Sequence, residues 1–149
     1  MPACRQADGP IPTPSESVQE ELHDVGRDLQ NVASGRDPAA PKDLEQDLRK
    51  YVRRPTSAPA VDELSRRTAT VLPGKNLPDQ AAQQLAHDLW LSMAAREASE
   101  KQIEGLQNDV QSLLMSIGVA EDGARQVAAQ VGEVQSAETD RPRRWYEFF

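Results

Sequence analysis

PDQAAQQLAHDLWLSMAAREASEKQIEGLQNDVQSLLMSIGVAEDGARQVAAQVGEVQS, residues 78–136, is the stretch that decides the fold. Ala82, Leu85, Leu89 and Met93 recur at steps of three and four, which puts them on one face of a helix opened by Pro78. Ser99 followed by Gln102 has the spacing of a capping box. The helix it would start carries Ile103, Leu106, Val110, Leu113, Leu114 and Ile117, and Gly118 suits the position just past its end. A last helix begins at Glu121 and Asp122 and carries Ala124, Val127, Val131 and Val134. Nothing between Ala94 and Ala98 is a decisive breaker, so the first two segments read either as one helix or as two.

The three segments also correspond at an interval of 21 residues. Ala82, Ile103 and Ala124 align, as do Leu85, Leu106 and Val127, and Leu89, Val110 and Val131. Three heptads of continuous register would produce the first match without any repeat. The second match crosses Gly118, which leaves a triplicated unit and chance both open.

Towards the N-terminus the same periodicity continues. Ser15 is a good N-cap, and Val18, Leu22, Val25, Leu29 and Val32 form a single stripe that Gly35 and Pro38 stop. A short helix is expected after Pro41 with Leu44, Leu48 and Tyr51 or Val52 as its face, ended by Pro55. Another runs from about Pro59 through Val61, Leu64, Thr68 and Val71 to Pro73-Gly74. No stretch alternates with period two for long enough to be a strand. The fold class is therefore all-α, with short amphipathic helices in a hairpin or loose bundle. Its divisions are a tether (1–14), a helical arm (15–72), a main helical unit (78–137) and a tail (138–149).

Leu, Ile, Val and Phe together number 29 of 149 residues, close to the level at which a charged chain struggles to fold alone. The stripes are narrow, about two apolar positions in seven. A partner surface that completes the core is one way to meet this shortage. The net charge is −7, which argues against a nucleic-acid partner. Residues 1–54 carry −2, residues 55–140 carry −7 and residues 141–149 carry +2. The basic cluster Arg49-Lys50-Tyr51-Val52-Arg53-Arg54 reads as a solvated helix end near the C-terminal dipole. Leu89 to Ala95 is the most apolar run and is too short to span a bilayer. Nothing near Met1 resembles a signal-peptide core.

Catalytic and metal signals are absent from the sequence. The single cysteine excludes an internal disulfide, and His23 and His87 lie far apart. Gly74-Lys75 lacks the earlier glycine of a phosphate loop. His87 and Asp88 are adjacent on a helix and so point about 100° apart. No cofactor and no enzymatic activity are expected. Trp90 reads as a core residue at the edge of the helix packing.

The termini carry the sharper signals. Of six aromatic residues, Trp145, Tyr146, Phe148 and Phe149 fall in the last five positions, after Arg141, Arg143 and Arg144. Trp, Tyr and Arg are the preferred anchors of protein interfaces. This tail can fold back on its own helices, dock on another protein, or sit in a membrane interface. Pro142 disfavours simple continuation of the last helix. At the other end, residues 1–14 hold four prolines and one glycine and read as an extended tether. Ala3-Cys4 followed by this polar, Pro-containing spacer is similar to mature bacterial lipoproteins, although Met1-Pro2-Ala3 lacks their upstream apolar segment. The resemblance implies lipidation at Cys4 and a place in the bacterial envelope; without it the chain is expected in the cytoplasm.

The expected function is that of a non-enzymatic interaction or accessory protein. It would be anchored to a larger assembly, membrane-bound if Cys4 is lipidated, through Arg141, Arg143, Arg144, Trp145, Tyr146, Phe148 and Phe149. The alternative is a small helical chaperone or sensor of the periplasm, and a homo-oligomer fits either reading.

Overall fold

The computed structural model describes residues 11–95 and 97–138. Within them the chain forms six α-helices and no strand: α1 (Glu16–Ser34), α2 (Ala40–Arg49), α3 (Ala58–Val71), α4 (Asp79–Ala94), α5 (Glu100–Ser116) and α6 (Glu121–Glu138). A 3-10 turn, Pro55–Ser57, leads into α3.

Local chemistry sets the ends. The Val18 amide donates to Ser15 Oγ at 3.3 Å, which caps α1. Gly35 then closes that helix with φ +67, a left-handed conformation that favours glycine. Ala95, at φ −81 and ψ 72, ends α4, so the segments around Leu89 and Val110 are two helices. The next one starts on a complete capping box. The Gln102 amide donates to Ser99 Oγ at 3.1 Å, and the Ser99 amide donates to Gln102 Oε1 at 2.9 Å. At the far end of α5, Gly118 at φ +100 donates to the Met115 carbonyl, and Val119 donates to the Leu114 carbonyl at 3.0 Å. That pair of bonds is a Schellman motif, and Val119 and Leu114, its two apolar partners, are both buried.

The stripes close on one another, so of hairpin and bundle the chain is a bundle. α1 packs on α2 and α4; α3 packs on α2 and α6; α4 packs also on α5 and α6. α5 completes the layer mainly against α6. One core cluster draws on all six helices, with Val25, Leu29, Leu44, Leu48, Leu64, Leu85, Leu89, Val110, Leu114, Val127 and Val131 fully buried. Burying one such leucine contributes about 1.5–3 kcal/mol. Trp90 is buried at 7 % exposure, its ring 5.8 Å from that of His87. Side-chain amides fix neighbouring helices. Gln107 Nε2 donates from α5 to the Ala128 carbonyl on α6 at 3.0 Å, and Gln130 Nε2 donates from α6 to the Ala60 carbonyl on α3 at 2.9 Å. Among the described residues no helix is long and apolar enough to cross a membrane.

Candidate functional site

The end of α6 carries polar side chains where its apolar stripe would continue. Val127, Val131 and Val134 are followed at helical spacing by Gln135 and Glu138, both 1 % exposed. The Glu138 carboxylate accepts from the Arg53 amide at 3.1 Å and from Ser57 Oγ, so it holds the 3-10 turn against α6. Its Oε2 is buried without a hydrogen bond, as is Gln135 Oε1. A buried acceptor left unpaired costs about 1–3 kcal/mol.

Gln135 lines a groove of about 240 Å³ between α4, α5 and α6. Leu91 of α4, Ala95 and Ala98 of the α4–α5 link, and Gly105 and Leu106 of α5 also line it. Ile11 lies at the same groove and is 66 % exposed. Among the described residues the only other large exposed hydrophobic is Met115. Asp109 stands on the rim and faces the buried Asp88 of α4. Burial raises the Asp88 carboxyl to about 6, the Asp109 charge adds to this, and the Gln84 hydrogen bond at 3.0 Å opposes it. Asp109 is the one charged side chain among the described residues that line the groove, beside Gln102 and Gln135.

Two other groups of charges meet within the bundle, and Asp28 Oδ2 in the first of them is buried without a hydrogen bond. Asp28 on α1 and Asp47 on α2 are hydrogen-bonded carboxyls. Burial pushes Asp28 up to about 8, helped by that bond and by the charges of Asp47, Asp43 and Asp24. Asp47 is held low, against its own burial, by the bond from Asp28 and by Lys50 at 3.1 Å. The pair thus keeps one proton between two carboxylates. The basic cluster at the end of α2 is engaged too. Arg49 makes a two-pronged pair with Asp62 of α3, at 2.8 and 2.5 Å, and holds that carboxyl below its ordinary range. His87 Nδ1 lies 3.9 Å from Asp88 Oδ1, beyond hydrogen-bonding reach, and burial lowers the histidine.

Cys4, Arg141, Arg143, Arg144, Trp145, Tyr146, Phe148 and Phe149 lie outside the described residues. What the structure places is the departure point: the tail follows Glu138, one helical turn beyond Gln135 in the groove wall. Sequence reasoning missed Gln135, Glu138 and the Asp28–Asp47 pair. The first two carried a signal, since each continues the spacing of three and four set by Val127, Val131 and Val134. Among the described residues no group of three or more His, Cys, Asp or Glu is arranged to hold a metal ion. No family model matches the sequence, and no curated protein and no solved structure is significantly similar to it.

Proposed function

We propose that this chain is a non-enzymatic helical interaction protein that joins a larger assembly through its basic-aromatic tail, Arg141 to Phe149. One observation carries the reading. Four of the chain's six aromatic residues, Trp145, Tyr146, Phe148 and Phe149, fall within five positions of the sequence, directly after Arg141, Arg143 and Arg144. Aromatic and arginine side chains clustered in one short segment have the chemistry of an interface anchor. The lipoprotein-like start at Ala3-Cys4 supports placing that assembly at the bacterial envelope.

Affinity purification from combined membrane and soluble fractions tests this, comparing the intact chain with one ending at Asp140 at equal expression. The expected result is a defined, stoichiometric complex recovered only with the intact chain. Recovery of the same proteins with both chains, or of neither, overturns it. The intact mass of the mature protein, with or without acyl chains on Cys4, tests the placement.

A further inference from the structure

We propose that the contact between α4 and α5 is a proton-operated seam: it is closed while Asp88 is protonated, and ionisation of Asp88 shifts it towards an open form in which α5 parts from α4 and the groove along their contact meets water. The inference concerns the described bundle alone and does not rest on the tail.

Three features of the geometry carry it. The first is where Asp88 sits. Asp88, Leu91 and Ala95 follow one another on α4 at steps of three and four, so the carboxyl continues the apolar stripe that lines the groove. The residue is 3 % exposed, its Oδ1 accepts from Gln84 Nε2 at 3.0 Å, and its Oδ2 is buried without a hydrogen bond. A protonated carboxyl tolerates such a site far better than a carboxylate, whose charge would lack both water and a cation. The second is what it meets. α1, α5 and α6 pack on α4. Among their described residues the one charged group that acts on Asp88 is Asp109 of α5, a like charge across the seam. His87, its neighbour on α4, is no counter-charge: its Nδ1 lies 3.9 Å from Asp88 Oδ1, and burial favours its neutral form. Ionised Asp88 would therefore set two carboxylates against each other, and parting the helices relieves both the burial and the repulsion. The third is how little holds the seam. α5 packs mainly on α6 and less on α4. A Cβ added at Gly105 would meet nothing within 4 Å, and the groove beside it leaves about 240 Å³ unfilled.

Amide hydrogen exchange of the full chain tests this, read as opening constants after division by the intrinsic exchange rate at each pH. The closed seam holds its proton up to about pH 6, whereas an aspartate in water releases it near 3.9. The opening constants of the Leu106 and Val110 amides should therefore climb about tenfold per pH unit between pH 4 and 6, and level off about a hundredfold higher. In D88N they should stay flat. In D109N, which removes only the facing charge, they should level off lower than in the wild-type chain. The Leu64 amide of α3 reports opening of the whole bundle. Its constant should be at least tenfold smaller at pH 7 and should keep rising towards pH 8, where Asp28 titrates. Constants for Leu106 and Val110 that do not change with pH overturn the inference, as does a rise that persists in D88N. Equal constants for α5 and α3 at every pH overturn it in favour of unfolding of the whole bundle. One measurement needs no variant, so it decides even if D88N does not fold. The carbon-13 shift of the Asp88 carboxyl should titrate with its midpoint at about 6, and a midpoint near 4 sinks the proposal.

Discussion

At the scale of single residues, the Asp28–Asp47 pair makes stability depend on pH in an unusual direction. An unfolded aspartate titrates near 3.9, whereas Asp28 in the folded chain titrates at about 8. Between those values the folded state holds a proton that the unfolded state has released, so stability falls as pH rises. Asp88, raised to about 6, adds the same sign between about pH 4 and 6. Asp62 acts oppositely, because Arg49 lowers it: its contribution is present above pH 4 and is lost only in stronger acid. Asp28→Asn supplies a permanently neutral donor to Asp47. It should raise the melting temperature more at pH 8 than at pH 5, by calorimetry in matched ionic strength. An equal change at both pH values would show that no proton is held there. None of this was legible in the sequence, because Asp28 and Asp47 look like ordinary surface acids until α1 and α2 are packed.

At the scale of elements, the helices were legible because their signals are local. Ser15, Gly35, Ser99 with Gln102, and Gly118 act within a few residues of themselves, and each caps or closes a helix as its side chain or backbone freedom dictates. The α4–α5 break was ambiguous for the same reason: Ala95 ends the helix through its backbone angles, and alanine gives no warning of that. The capping box offers a direct check. Ser99→Ala removes the acceptor for the Gln102 amide and should cost about 1 kcal/mol in denaturant unfolding. A cost below about 0.3 kcal/mol would mean that α5 is started by packing alone. Most stripe residues are buried as the periodicity requires, but Val18, Val71, Leu113 and Ile117 are only half-buried, and so is Ile103. Ile103 aligns with Ala82 and Ala124, yet only those two are fully buried. α5 meets the bundle mainly on the side facing α6, so its first turn is less covered.

At the scale of the whole molecule, the core is shared between segments far apart in the chain. α1 packs on α4, and α3 packs on α6, which joins residues 15–72 to residues 78–137 through common side chains. Unfolding in urea should therefore give coincident transitions by helical circular dichroism and by Trp90 fluorescence in a W145F background. Two separated transitions would instead mark the first three helices as an independently melting arm. The site was less legible than the fold. A groove needs three helices in place before it exists, and only Gln135, a polar residue on an apolar stripe, hinted at one wall. The tail, by contrast, was visible at once, because composition alone sets it apart.

Stripes built from valine and alanine have a weakness of their own. Such a helix can slide by two turns along a like neighbour and bury nearly the same surface, since the apolar pattern repeats every seven residues. The carboxamides and the carboxylate on α6 forbid this. Gln130 reaches the Ala60 carbonyl, and Glu138 reaches the Arg53 amide, in one alignment only. Leucine at either position would add apolar surface to the helix, but it would erase the notch that tells α6 where along α3 to stop.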